Sequence, residues 1–335
     1  MKWLLALVVL LAVIPAGCSA AGRHVEPAQN PLHATSADGR PLATIDVSVA
    51  SIWKRPRLLR AVDRPSAQNP VEIKHWLGLM TTEERLWLVG RLETQATLGT
   101  EVTVLRQSGK WTKVAVHGQP TPRNPQGYPG WLPTRQLTTN LSVPEGVARG
   151  PVAVVTRKTA WLRSATTHAR RIEVSFGTRL ALLGVSGSYY LVAKPSGGRL
   201  AVATGAVATY PSIAAIPEPS GRRIAATAKR FVGLPYLWAG TSAFGFDCSG
   251  FTYSIFRRFG IRMPRDADRQ ALHGTRVARS DLKRGDLVFF ADSTGRIHHV
   301  GIYAGGGMMV ESPRTGEAIR LSPLRSGYAG ARRYL

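Results

Sequence analysis

From Thr44 onward the chain alternates apolar and polar residues in short bursts. Ile45-Asp46-Val47-Ser48-Val49, Glu101-Val102-Thr103-Val104-Leu105 and Trp111-Thr112-Lys113-Val114-Ala115-Val116 each repeat with period two, the signature of a half-buried strand. Turns rich in Gly, Pro and Asn separate the bursts, most densely from Gly118 to Gly130. Ile73, Trp76, Leu77 and Met80 recur at helical spacing within Pro70 to Leu92. A second group follows at Thr159–Arg163, Arg179–Leu183 and Tyr189–Ala193, spaced as strands of a small barrel are. These patterns predict two small all-β barrels, one over 44–145 with a helical insertion and one over 150–210. Pro211 to Gly221 holds three prolines and reads as a linker, 211–221.

The pattern changes at Arg222. Ile224, Ala228 and Phe231 share a helical face that ends at Gly233-Leu234-Pro235. A second helix is expected from Cys248 to Gly260, with Phe251, Ile255 and Phe259 on its buried side and Asp247 near its N-cap. Strands are expected at Asp286–Phe290, His299–Tyr303 and Met308–Glu311. Helices followed by an antiparallel sheet make 222–335 an α+β domain.

Upstream, Met1 and Lys2 lead into twelve apolar residues, Trp3 to Ile14, and then Pro15-Ala16-Gly17-Cys18. Twelve is too few to span a bilayer, which needs about 20, but suits a secretory signal over 1–20. Small residues directly before Cys18 resemble a lipoprotein processing site, with lipidation at Cys18; cleavage after Ala20 or Ala21 is the alternative. Either outcome exports the protein, to the outer face of the cytoplasmic membrane or into the wall. Residues 21–43 are polar and read as a tether.

Export changes the meaning of the charge. Forty-four Lys and Arg against twenty Asp and Glu give +24. A surplus of that size favours a polyanionic neighbour. Outside the cytoplasm that means an anionic wall polymer or membrane surface, and not nucleic acid.

The chain has two cysteines, and one belongs to the signal region. Cys248 is left without a disulfide partner, so it is either a buried inert thiol or a reactive one. In Asp247-Cys248-Ser249-Gly250 it opens a helix, where the dipole favours thiolate. The candidate base is His299 in His299-Val300-Gly301-Ile302-Tyr303. Alternation places His299, Gly301 and Tyr303 on one face and His298 on the other, and Gly301 leaves room for a ligand or the thiolate. A base needs an orienter for its second nitrogen. A hairpin centred near 305–306 would set Glu311 across from His299; the alternative for Glu311 is a solvated strand end. A zinc site from Cys248, His273, His298 and His299 lacks any recognised ligand spacing. No metal and no cofactor is implied.

At these residues a family resemblance enters. Asp247-Cys248-Ser249-Gly250, Met263-Pro264-Arg265-Asp266, Gly285-Asp286-Leu287-Val288-Phe289-Phe290 and His299-Val300-Gly301-Ile302-Tyr303 follow one another as in NlpC-type, papain-like cell-wall cysteine peptidases. The resemblance implies a catalytic Cys248 and His299, a third polar residue at Glu311, where His, Asn or Gln is commoner, and a Tyr near the oxyanion at Tyr236. Phe244–Phe251 with Pro264-Arg265-Asp266 further resembles the subgroup with two bacterial SH3 domains ahead of the peptidase. Those are γ-D-glutamyl-L-diamino acid endopeptidases that require a free N-terminal L-Ala on the stem peptide. The resemblance implies that Glu93 and Tyr128 of the first SH3-like barrel bind the amine, and that Asp247, Ser249 and Asp266 contact the L-Ala and D-Glu part. Ala267 stands where the subgroup often has Ser. The expected architecture is therefore two small all-β SH3-like barrels followed by an α+β papain-like peptidase domain. The rivals are a broad endopeptidase cutting intact murein and an inactive wall-binding scaffold.

Overall fold

The computed structural model describes residues 35–335. The expected signal segment, Cys18 and the start of the 21–43 tether lie outside the described residues.

The first β domain holds β1 (Leu42–Ile45), β2 (Val49–Trp53), α1 (Ile73–Leu79), α2 (Thr82–Trp87), β3 (Leu92–Thr97), β4 (Glu101–Ser108), β5 (Trp111–Val116), β6 (Tyr128–Pro133) and β7 (Leu137–Thr138). Its sheet runs β3-β2-β6-β5-β4-β1-β7. After α3 (Ser142–Arg149), the second domain holds β8 (Val152–Val155), β9 (Thr159–Ser164), β10 (Arg170–Ser175), β11 (Arg179–Ser186), β12 (Tyr189–Ala193), β13 (Arg199–Ala203) and β14 (Val207–Tyr210). Its order, β10-β9-β13-β12-β11-β8-β14, repeats the first sheet strand for strand.

Two local expectations shift. Ile45–Val49 is not one strand. The alternation is real, but β1 ends at Ile45 and β2 starts at Val49, because Asp46 N–H bonds Gln136 and Ser48 accepts from Leu98 outside the ladder. The helical insertion is two helices, with Met80 extended between them. Thr81 restarts the helix through a capping box with Glu84, its Oγ1 accepting from Glu84 N (3.2 Å) while its own N–H donates to Oε2 (2.8 Å).

The third domain opens with α4 (Gly221–Lys229), a short ribbon of β15 (Thr241–Ser242) and β16 (Gly245–Phe246), α5 (Cys248–Arg257) and α6 (Ala267–Gln270). It closes with β17 (Thr275–Val277), β18 (Leu287–Ala291), β19 (Ile297–Gly305), β20 (Met308–Glu311), β21 (Arg320–Pro323) and β22 (Tyr328–Arg333), in the sheet order β17-β22-β18-β19-β20-β21. Phe231, Phe246, Phe251 and Phe256 pack between the helices and the Leu287, Phe289, Val300 and Ile302 face of that sheet.

The domains share core. Leu237, Ala239 and Phe244 of the third domain pack into the cluster formed by Trp53, Trp76, Leu77 and Leu88 of the first. Phe176 of the second enters the third domain's core. Polar groups pin the same seam: Trp238 Nε1 donates to Leu92 O (2.9 Å), and Ser242 Oγ donates to Gln95 Oε1 (2.9 Å). Edge strand β3 is therefore covered by the third domain, which fixes the first domain beside the loop leading to Cys248.

Candidate active site

Asp247 caps α5, its Oδ1 accepting from Gly250 N at 2.6 Å, and Cys248 is the first residue of the helix. The chain just upstream lies against this first turn. A Cβ on Gly250 would sit 2.0 Å from Gly240 O and 2.9 Å from Asp247 Oδ1, so only glycine lets the cap form. The backbone N–H groups of Ser249 and, on β19, of Val300 lie near enough to act on the sulfur, which places it beside His299. Burial, then the Asp247 carboxylate, pushes the Cys248 thiol up to about 12, against the pull of those N–H groups and the helix N-terminus. The expected thiolate gives way to a resting thiol.

His299 is buried at 4% exposure, and its Nε2 meets Glu311 Oε2 at 2.6 Å. With Nε2–H donated to the carboxylate, Nδ1 carries the free lone pair. The expected register is off by two. Ile302 pairs with Val310, which sets Glu311 beyond that pair, opposite Gly301 and diagonal to His299, because the turn lies between Gly305 and Met308, three further on in register, and a bulge between Tyr303 and Gly305 takes one back. A slip of two keeps Glu311 on the same face, so the contact survives; a slip of one would have destroyed it. The space at Gly301 serves Met309, whose Sδ would lie 2.9 Å from an added Cβ, and not the thiolate.

Glu311 is no solvated strand end. It is fully buried and also accepts from Ser322 Oγ (2.8 Å), Arg325 Nη1 (2.8 and 2.9 Å) and Arg320 Nε (3.2 Å). Burial would raise this carboxyl, but the bond and charge of His299, with Ser322 and Arg325, outweigh it and hold it down at about 2.

A cleft of about 620 Å³ runs past this pair. Tyr236, Asp247, Ser249, Asp266, Glu93 and Tyr128 all line it with Cys248 and His299. Glu93 and Tyr128 come from the first β domain, so that end of the cleft is lined by a different domain from the one bearing the nucleophile. Burial, then Cys248, holds the Tyr236 hydroxyl well above its usual range, so it stays a proton donor beside the sulfur. Tyr128 Oη donates to Asp266 Oδ1 (3.2 Å), and burial raises the Asp266 carboxyl.

The sequence did not reveal who holds these residues. Arg265 is 1% exposed and bonds Asp247 Oδ2 (2.6 Å), Ser249 Oγ (2.9 Å) and, from the first β domain, Thr94 Oγ1 (3.0 Å). Asp247 and Ser249 thus spend their side chains on Arg265 and the helix cap. Glu93 is gripped by Arg123 through two bonds (2.5 and 3.1 Å), with that guanidinium 5.2 Å from the Tyr128 ring centroid. Glu93, expected at the amine, therefore already has a counter-charge in Arg123. Asp266 differs, since among the described residues its side chain accepts a side-chain hydrogen bond only from Tyr128. Trp238, Arg320 and Arg325 also line the cleft, and so does His298, which had been expected on the opposite face. Arg265 stood in a quoted motif, but nothing in a sequence marks an arginine as buried.

The family profile described as "NlpC/P60 family" matches residues 233–334, and one described as "YKFC SH3b2 domain" matches 155–210. A γ-D-glutamyl-L-lysine dipeptidyl-peptidase of Bacillus cereus is 46% identical over 304 residues, covering 88% of this chain and 91% of its own. This chain belongs to the NlpC/P60 family. A Bacillus subtilis protein of the same name is 39% identical, over 84% of this chain and 93% of the relative. The crystal structure of an NlpC/P60 family protein from Bacillus cereus superimposes with a TM-score of 0.85 at 46% identity, over 88% of this chain and 99% of that one. The architecture is two SH3-like β domains followed by an NlpC/P60 domain, and the chain is a cysteine peptidase.

Proposed function

We propose that this NlpC/P60 peptidase hydrolyses the γ-D-glutamyl–L-diamino acid bond of peptidoglycan stem peptides and takes substrates with a free N-terminal L-Ala. The observation that carries the reading is the bond across the cleft by which Tyr128 of the first domain reaches Asp266 of the domain bearing the nucleophile. A carboxylate without a cationic side-chain bond, facing a phenol, suits an ammonium ion. The names of the two Bacillus relatives support the bond assigned.

In the reaction, Cys248 Sγ attacks the γ-carbonyl carbon as its proton passes to His299 Nδ1. Glu311 stabilises the imidazolium from Nε2. The Tyr236 hydroxyl and the N–H groups at the start of α5 face the developing oxyanion. The proton then goes to the leaving α-amine, and water hydrolyses the thioester. Export through the N-terminal segment, with Cys18 lipidated at the outer face of the cytoplasmic membrane or the chain released to the wall, fits the +24 charge toward anionic wall polymers.

Digestion of L-Ala-γ-D-Glu-diamino acid tripeptides, free and N-acetylated, followed by mass spectrometry, tests the reading. Release of L-Ala-γ-D-Glu from the free tripeptide, with slower release from the acetylated one, is expected. Equal release from both, or from intact sacculi, would replace the reading by a broad murein endopeptidase.

A further inference from the structure

The seam between the second β domain and the peptidase domain is laced by arginines that meet no acid. Arg179 of β11 donates from Nη2 to Arg257 O (2.8 Å), the carbonyl at the end of α5. Arg257 Nη1 reaches back to Gly177 O (3.3 Å), Arg258 Nη2 donates to the Tyr210 hydroxyl (3.2 Å), and Arg230 Nη2 donates to Thr156 O (2.8 Å). Every one of these acceptors is a neutral oxygen. Among the described residues, none of Arg179, Arg257, Arg258 and Arg262 joins an ion pair. From Arg179 to Arg262 the chain holds ten Lys and Arg but only two carboxylates, so partners are scarce. Asp247 belongs to Arg265, and Glu218 is exposed in the 211–221 segment.

Four guanidiniums gather at the end of α5. Arg257, Arg258 and Arg262 all act on Arg179, and burial, then Arg257, pulls that guanidinium down to about 9. Arginine keeps its proton at neutral pH, so the crowding is carried as free energy and not relieved by titration. Arg258 is 4% exposed, and its Nη1 has no partner among the described residues, nor has the buried Nε of Arg179. The C-terminus of α5 offers roughly half a negative charge to the four. Donors and positive charge are both left over. Arg262 is exposed and Arg179 and Arg257 are half-buried, so solvent reaches the cluster from one side.

We propose that this cluster binds a phosphate dianion, free or as a terminal phosphomonoester, between the second β domain and the end of α5. A cation kept from water needs a counter-ion. Guanidinium forks match phosphate oxygens through paired N–H bonds, and a dianion with three acceptor oxygens takes donors from both domains at once. A carboxylate, with two oxygens and one charge, satisfies one fork and leaves the rest. The bound phosphate couples the two domains, since Arg179 comes from one and Arg257, Arg258 and Arg262 from the other. It lies apart from the catalytic cleft, none of whose lining residues belongs to the cluster, and it does not depend on which bond the peptidase cuts.

Thermal unfolding of the full chain at about pH 8, where phosphate carries close to two charges, tests the site. Sodium phosphate at about tenfold above its Kd should raise the melting temperature by about 2–4 °C. Sodium chloride or dimethyl phosphate at equal ionic strength should give less than about a third of that rise. A gain from glycerol 3-phosphate at least as large as that from phosphate assigns the site to a phosphomonoester on a larger molecule, and a smaller gain assigns it to free phosphate. Arg262→Gln, a change at an exposed position, should weaken phosphate binding in calorimetry by at least about threefold. In Arg179→Met the phosphate response should vanish; should that variant fail to fold, Arg262→Gln decides. Arg314→Gln, in the catalytic cleft, should leave the response unchanged. A rise as large with chloride or dimethyl phosphate, undiminished binding by Arg262→Gln, or a response lost in Arg314→Gln would overturn the site.

Discussion

Replacing Glu311 with Gln removes one charge from a wall that is otherwise unchanged in shape. The carboxylate is fully buried yet held at about 2, against an ordinary 4.5. That gap amounts to roughly 3 kcal/mol in favour of the ionised form, an upper figure because Arg320 and Arg325 reach solvent. The imidazolium formed when Cys248 loses its proton draws on the same carboxylate. Gln still offers His299 an acceptor, so kcat should fall by only about tenfold, whereas Ala leaves Nε2–H without one and should cost on the order of 10- to 1,000-fold. The pH dependence of stability gives a second readout. A carboxylate whose folded pKa lies below its unfolded value stabilises the fold fully above about pH 4.5, and that contribution is lost as pH falls toward about 2. Urea midpoints taken between about pH 6 and pH 2 should therefore drop further in the wild type than in Glu311→Gln, by up to about 3 kcal/mol. Equal kcat in wild type, Gln and Ala, or stability curves that run parallel down to pH 2, would refute the reasoning.

Cys248→Ala and His299→Ala should each abolish hydrolysis while the circular dichroism spectrum stays that of the folded wild type. Alkylation of wild-type Cys248 should keep accelerating through pH 9, whereas a plateau near pH 6 would show a resting thiolate instead. Arg265→Met leaves Asp247 buried without its counter-charge and cuts the tie to Thr94, so unfolding free energy should drop by about 3–5 kcal/mol. Adding Asp247→Asn should restore part of that; no recovery in the urea titration would mean that packing, and not charge, sets the loss. Asp266→Asn should raise KM for the free tripeptide more than Glu93→Gln does, since Arg123 already neutralises Glu93. A larger KM effect at Glu93 would return the amine to that carboxylate.

The order of domains, the helix that begins at Cys248 and the strand that carries His299 were legible because each rests on local pattern. An acidic N-cap followed by Cys and alternating apolar residues are short-range signals. Even the Glu311 contact could be anticipated with the register wrong, since face is conserved under an even slip. The Thr81–Glu84 capping box was equally local, and it would have divided the helical insertion correctly.

What the chain could not disclose alone is which charges find one another. Arg265 meets Thr94 across 171 residues, Tyr128 meets Asp266 across 138, and Arg325 meets Glu311 only after the chain turns back past β21. Forty-four cationic side chains look alike in sequence. Tertiary packing decides which are desolvated, and a buried ion must find a partner while an exposed one need not. The same packing raises the Cys248 thiol where the helix start alone pointed toward thiolate, because desolvation depends on what lies against the sulfur and not on its neighbours along the chain.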